Sequence, residues 1–414
     1  MKTLLLPGII ACLFFICLTA CAVKPSPAAP PEEGPTQVQT PTERPDEGPT
    51  QVQTTPMPAE ETFSVGDARF IQRELAIEAA ESVAVAAADF DGDGNLDLVA
   101  SGEPDLVLFR GDGQGGFDIS QRVPGGLQPV DFGLADLDAD GDIDVVIANH
   151  DTTNLTLLLG DGSGFFEPAP HSPLSIPVAP HPHAVLAEDF DQDGYTDLVV
   201  DHRQGEGLLI LRGLGDGSFE SPGTVVGVGG DPYRGMAAGD IDGDGWLDLI
   251  TPNPGEVGTL INISGGGPAA FEPGEPLHAE APFAVALGDF NGDGRLDVIA
   301  ASDEGSPLVE LVLGDGAGGF HEAAGSPIQF APGGKMIAVG DFNGDGVDDA
   351  AVAAWPSTDV LVLLGGEEFR TGYLPGGEHP WGMAAADFNR DGRDDLVIAD
   401  DNAPRALVYL SLNP

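Results

Sequence analysis

One nine-residue stretch recurs seven times along this chain and limits what the chain can become. The first copy is Asp89-Phe90-Asp91-Gly92-Asp93-Gly94-Asn95-Leu96-Asp97, followed at once by the apolar run Leu98-Val99-Ala100. Further copies begin at Asp136, Asp189, Asp240, Asp289, Asp341 and Asp387. Each starts about 50 residues after the last, and a fixed long period signals a repeat architecture rather than a series of unrelated domains. Oxygen-bearing side chains at positions 1, 3 and 5, a glycine at 6 and an acid at 9 suit a hard cation, calcium above all.

The seven copies supply a complete set of candidate ligands. Position 1 is Asp89, Asp136, Asp189, Asp240, Asp289, Asp341 and Asp387. Position 3 is Asp91, Asp138, Asp191 and Asp242 in the first four loops, and Asn291, Asn343 and Asn389 in the last three. Position 5 is Asp93, Asp140, Asp193, Asp244, Asp293, Asp345 and Asp391. Position 7 varies freely (Asn95, Asp142, Tyr195, Trp246, Arg295, Val347, Arg393), which fits a backbone carbonyl ligand whose side chain is irrelevant. An EF-hand needs a bidentate Glu at position 12, and Ala100, Ile147, Val200, Thr251, Ala300, Val352 and Ile398 stand there instead. The last ligand therefore falls to position 9: Asp97, Asp144, Asp197, Asp248, Asp297, Asp349 and Asp395. Up to seven Ca²⁺ are expected, one per unit. The three loops with Asn at position 3 should hold it least tightly, because fewer carboxylates lower affinity.

Around each loop the order of segments is constant. A small-residue apolar run precedes it (Val83 to Ala88; Met236 to Gly239; Ile337 to Gly340), and a β-like run follows (Leu96 to Ala100; Leu247 to Ile250). A polar turn leads to a third run such as Leu106 to Phe109 or Leu155 to Leu159. A Gly-Asp-Gly turn and an aromatic residue open the fourth, as with Phe117, Phe165 and Phe320. Short apolar runs between Gly and Asp turns are strand and hairpin signals. Four strands per unit, seven units and no helical period predict an all-β, seven-bladed β-propeller of four-stranded blades. The seventh unit stops after its third run, Leu407 to Leu410, while an orphan run, Phe70 to Ile77, precedes the first unit. Pairing the two closes the ring with an N-terminal strand and removes two open edges.

These units resemble the FG-GAP repeats of integrin α-subunits and of many secreted bacterial proteins, over residues 63–414. The resemblance implies a seven-bladed propeller with the metal loop between the first and second strands of each blade.

The chain ahead of the repeats has a different character. Residues 1–20 read as a secretory signal, with Lys2 followed by an apolar stretch from Leu4 to Leu18. Leu18-Thr19-Ala20-Cys21 resembles the bacterial lipobox, which implies lipidation of Cys21 in a bacterial lipoprotein. Cys12 and Cys17 would leave with the signal, so no disulfide is expected in the mature chain, and the metal loops are its alternative source of stability. Residues 21–62 form a linker rich in Pro, Thr and Glu, with the same eight residues at 33–40 and 47–54, and such a composition cannot bury a core. An exported, lipid-anchored location is expected, and Ala22 rather than Asp after Cys21 implies, by resemblance to enteric lipoproteins, the outer membrane or cell surface rather than the inner membrane. A net charge of −52, with 16 Lys+Arg against 68 Asp+Glu, excludes nucleic acid as a partner and leaves the lipid as the only membrane contact.

Function is expected where the repeats differ. If metal loops occupy one face of the propeller, blade-to-blade connections and second-to-third-strand loops build the other. Six residues before each metal loop, where the innermost strand starts, stand Val83, Val130, His183, Arg234, Phe283, Lys335 and Trp381. In a cation-poor chain, this set suits a polar ligand with flat apolar faces or some negative charge, such as a glycan or a peptide carboxylate. His183, Arg234, Phe283, Lys335 and Trp381 are the candidate ligand-binding residues. Five of the eight histidines (His150, His171, His181, His183, His202) lie between 150 and 202, and four of them are expected on this variable face. A transition-metal site or an acid–base pair there is conceivable.

No nucleophile motif is present, and the acids that could pair for glycoside chemistry are mostly committed to the loops. A non-enzymatic binding or adhesion module is the leading reading. A polysaccharide-active lyase or hydrolase, using the histidines with Asp151, Asp201 and Arg203, is the alternative, and an envelope assembly scaffold is another. Fold alone does not choose between them.

Overall fold

The computed structural model describes residues 61–412 apart from 78–81, 103–104, 206, 231, 233–234 and 304–305. Cys21, the signal, residues 21–60 of the linker and Arg234 lie outside the described residues. Among the described residues, apart from one turn of 3₁₀ helix at Arg203–Gly205, the regular structure is strand, arranged as seven antiparallel sheets. Each sheet is one blade, numbered here by its acidic loop. In blade 1 the strands are Val85–Ala88, Asp97–Ala100, Asp105–Gly111 and Phe117–Pro124, hydrogen-bonded in that order. The protein is a seven-bladed β-propeller, and every acidic loop is the hairpin between the first and second strands of its blade.

Ring closure follows the predicted route. Blade 7 takes Pro380–Ala386, Asp395–Asp400 and Arg405–Ser411 from the end of the chain and Ala68–Ala76 from its beginning. Phe70 pairs with Ser411 and Ala76 with Arg405. A further strand, Glu61–Val65, lies outside Ala68–Ala76, so Glu61 and Thr62, expected in the linker, pair with the sheet.

Apolar side chains are buried between blades, because a sheet must cover both faces and its only partners are the neighbouring sheets. Seven buried clusters result, one at each junction. The cluster that joins blade 7 to blade 1 sets Phe388, Val397 and Val408 against Val85, Leu98 and Phe109. An aromatic pair recurs across these junctions. The residue at loop position 2 meets the aromatic of the next blade's fourth strand edge to face: Phe90 with Phe166, Phe190 with Phe271 and Phe388 with Phe117, at 5.2, 6.0 and 5.4 Å between centroids. Phe70 takes this role for blade 7, packing on Phe342 of blade 6 at 6.1 Å. In blade 2 the buried partner is Phe166, not the expected Phe165, whose ring is exposed. Two adjacent phenylalanines point to opposite sides of a strand, and the register selects the second.

Near the axis the inner strands come very close. A Cβ on Gly382 would stand 2.7 Å from the Val83 carbonyl oxygen and 2.9 Å from the Ala84 Cα, so blade 7 can meet blade 1 only through a glycine there.

Candidate functional site

The acidic loops are built alike. Position-6 glycines adopt φ between +81° and +95°, which a residue with a side chain rarely tolerates. This turn lets the position-6 N–H donate to the position-1 carboxylate in all seven loops, for example Gly94 to Asp89 at 2.8 Å and Gly392 to Asp387 at 2.8 Å. The position-7 N–H donates to the position-5 acid, as from Asn95 to Asp93 at 2.8 Å. In loops 1 to 4, carboxylate oxygens from positions 1, 3 and 9 lie within 4.8 Å of one another. Asp89 Oδ1 and Asp138 Oδ1 are buried with no hydrogen-bond donor. Buried anionic oxygens converging without donors are what a bound cation would satisfy, and an all-oxygen set of this kind fits Ca²⁺. The loop residues would be its ligands.

Position 9 has a second task that spacing alone does not reveal. Its carboxylate is buried and clasps two backbone segments. Asp144 accepts from Leu137 N–H at 2.7 Å and from Gly160 N–H at 2.7 Å, tying the loop to the end of the third strand. Asp297, Asp349 and Asp395 do the same in their blades. Burial pushes these carboxyls up, the backbone donors pull them partly back, and acids of the same loop raise them further. Asp144, Asp197, Asp248 and Asp297 reach about 6, Asp349 about 7 and Asp395 about 8.

The loops differ in ways that bear on a cation. Arg110 pairs with Asp91 in loop 1, and Arg212 pairs with Asp191 at 2.9 Å and with Asp193 in loop 3. Both arginines replace the Leu or Ile found just before the end of the third strand in the other blades. In loops 6 and 7 the position-3 amide donates to a fellow ligand, Asn343 to Asp345 at 3.0 Å and Asn389 to Asp395 at 3.3 Å. Loops 2 and 4 combine the full set of acids with no such arginine contact among the described residues. Neighbouring loops also touch. Gln192 donates to the Gly245 carbonyl at 2.8 Å and Arg390 to the Gly94 carbonyl. These two side chains sit on left-handed backbone, φ +53° and +60°, and the inter-loop bonds offset a strain of about 1–2 kcal/mol each. Beside loop 1, a cleft of about 300 Å³ opens between blades 1 and 2, lined by Asp91, Arg110, Ile119 and Phe165.

The opposite face carries the unrepeated residues. At Val130, Phe283, Lys335 and Trp381 the inner strand breaks register with its neighbour. A β-bulge re-aims a side chain out of the sheet alternation. Phe283, Lys335 and Trp381 thereby converge, with the Lys335 ammonium 4.5 Å from the centre of the Phe283 ring and 5.1 Å from that of Trp381. Lys335 is only 6% exposed. From Trp381 the patch continues through His379 to Trp355, with ring centroids 5.6 and 5.5 Å apart, and Trp355 is 40% exposed. Asp401 holds the His379 Nδ1 at 2.8 Å. Sequence reasoning missed Trp355 and His379. The available signal was their register: 14 residues after one loop starts, and 8 before the next.

The same three register positions are filled between blades 2 and 3 by His150, His181 and His183. Their rings lie 3.9 Å (His150–His181), 4.6 Å (His181–His183) and 5.2 Å (His150–His183) apart. His183 is buried, removed from the exposed ligand face expected for it, and is held by Asp201. Burial pushes His181 down, and the adjacent imidazoles push it further. The fourth expected histidine, His202, is occupied elsewhere, its Nδ1 accepting from Ala179 N–H at 3.1 Å.

A family model for the FG-GAP-like repeat matches residues 89–147, 136–200, 203–251 and 289–352. Three of these segments run from position 1 of one acidic loop to position 12 of the next. The chain belongs to the FG-GAP-like repeat family. No curated protein sequence matches it. Among solved structures, the BBS1N chain of a complex with ARL6DN is 15% identical, with a TM-score of 0.55 over 82% of this chain and 97% of that one. An Agrocybe aegerita lectin that recognises non-reducing terminal N-acetylglucosamine is 18% identical, with a TM-score of 0.50 over 86% and 96%. Kuenenia stuttgartiensis hydrazine synthase is 12% identical, with a TM-score of 0.53 over 81% and 96%. At these identities the likeness is one of fold. An FG-GAP propeller of this form fits a binding module, and its acidic clusters could hold metal ions.

Proposed function

We propose that this FG-GAP propeller is a calcium-stabilised binding or adhesion module, exported and tethered through a lipid on Cys21, that holds a glycan or protein ligand on its unrepeated face. The observation that carries the reading is the run of Trp355, His379, Trp381, Lys335 and Phe283 across blades 5 to 7. An exposed indole offers a flat apolar surface for a sugar ring or a peptide side chain. Sevenfold repetition suits the acidic loops to building the ring, whereas this patch occurs once, across blades 5 to 7. Structural neighbours include a lectin and a protein in complex with ARL6DN, so the fold is compatible with either ligand class.

The test is a glycan and protein array probed in calcium with the parent and with Trp355→Ala and Trp381→Ala. Ligands captured by the parent and lost by both variants support the assignment. Binding that survives both changes moves the site elsewhere on the molecule.

A further inference from the structure

We propose that His150, His181 and His183 form a binding site for a d-block divalent cation, Zn²⁺ in the first place, distinct from the acidic loops and independent of the ligand patch on blades 5 to 7. His150 follows the second strand of blade 2, and His181 and His183 lie in the connection to blade 3. One nitrogen from each lies within 4.8 Å of the other two.

The tautomer of the central ring follows from its surroundings. Asp201 is fully buried and acts there as an acceptor. Its Oδ1 takes the backbone N–H of His183 at 2.6 Å and of Ala184 at 2.9 Å, and its Oδ2 faces His183 Nδ1 at 3.0 Å. A carboxylate so placed keeps the proton on Nδ1 and the lone pair on Nε2. His150 repeats the arrangement with Asp151, Nδ1 to Oδ1 at 3.2 Å. A carboxylate behind the far nitrogen of an imidazole is the usual support of a metal-bound histidine, fixing its orientation and raising its basicity.

Imidazole donors select zinc, copper or nickel, whereas the oxygen-only loops select calcium, so the chain would sort two kinds of metal between its two faces. Zinc–nitrogen bonds of about 2.0–2.1 Å put tetrahedral ligands about 3.3 Å apart. The half-exposed rings of His150 and His181 can turn inward to reach that spacing while Asp201 keeps His183 fixed. The equivalent positions between blades 6 and 7 hold Trp355, His379 and Trp381, so the framework packs rings without needing three imidazoles. Three protein ligands leave a fourth coordination position, which water or a carboxylate of a bound partner would take.

The experiment is zinc titration of the full chain by calorimetry with calcium in large excess, and Co²⁺ absorption as a report of tetrahedral geometry. The parent is expected to bind one Zn²⁺ that calcium does not displace and to give visible tetrahedral Co²⁺ bands. In the loop variant His150→Gln/His181→Gln, zinc affinity should fall by about a hundredfold or more, and Asp201→Asn should weaken it by about 10–100-fold. The amide of that second variant donates to Nδ1 and moves the ring proton onto Nε2. Near-ultraviolet dichroism and calcium binding confirm that each variant is folded. Zinc held equally by the double-histidine variant, or displaced by calcium, overturns the proposal.

Discussion

Asp395 shows what burying a carboxyl of the acidic loops costs. Its carboxyl is fully buried, accepts from Phe388 N–H at 3.0 Å and Ser411 N–H at 2.7 Å, and is pushed up to about 8. In the unfolded chain it returns to about 3.9. A carboxyl whose pKa is higher folded than unfolded binds its proton more tightly in the fold. Its stabilising contribution is complete below the unfolded pKa and is lost as pH rises through the folded one. At about 1.4 kcal/mol per pH unit, a proton kept by Asp395 in the fold and lost from the unfolded chain removes on the order of 5 kcal/mol of stability between about pH 4 and pH 7.5. Asp349, pushed to about 7, acts in the same direction. The stripped protein should therefore lose stability steadily between about pH 4 and pH 8. Calcium should reverse the slope, since its ligands must be deprotonated and its affinity rises with pH. The assay is thermal unfolding followed by circular dichroism, on protein freed of calcium by dialysis and on protein in excess calcium, across about pH 5 to 8. General charge repulsion also weakens on acidification, so Asp395→Asn is the control. Without calcium its midpoint should fall with pH on a shallower slope than the parent's, whatever the lost acceptor costs at every pH. A stripped parent whose midpoint stays level or climbs with pH, or a variant with the parent's slope, refutes the reasoning.

Two further outcomes follow from the fold and the loops. Phe70→Ala empties a fully buried site against Phe342 and Tyr409 and should cost about 3–5 kcal/mol in chemical denaturation. An unchanged midpoint would remove Phe70 from ring closure. On graded chelation, loops 5 to 7 should empty first and loops 2 and 4 last, since the latter keep every acid and lack the arginines of loops 1 and 3; seven equal sites in calorimetry would refute the ranking.

How much of this was legible beforehand depended on the range of each interaction. Hairpin turns, the seven loops and the closing strand at Phe70 could be read because each depends on neighbours within one repeat or on a missing strand. The clasp made by Asp144 was hidden, because its partner Gly160 is fixed only once the third strand is in register. Arg110 and Arg212 were hidden for a related reason. They occupy a position that is apolar in the other blades, and only the pleat brings that position above the loop. For the variable face, register alone found Phe283, Lys335 and Trp381, while the bulges that turn them together required the sheet. The histidines were flagged by clustering in sequence, yet only the fold separates His202 from the other three.

The pairing of residue 70 with residue 411 has a consequence for how the molecule is made. During synthesis the strand Ala68–Ala76 emerges more than 300 residues ahead of its partner Arg405–Ser411. For nearly the whole of that interval the early strand is paired on one edge only, with Glu61–Val65, and its other edge has no partner. Contacts so distant in sequence are slow to form, because the loop-closure entropy is lost before any pairing is gained. The last step to the native state is thus a single long-range capture, and a chain released before Arg405 is made has no means of completing it.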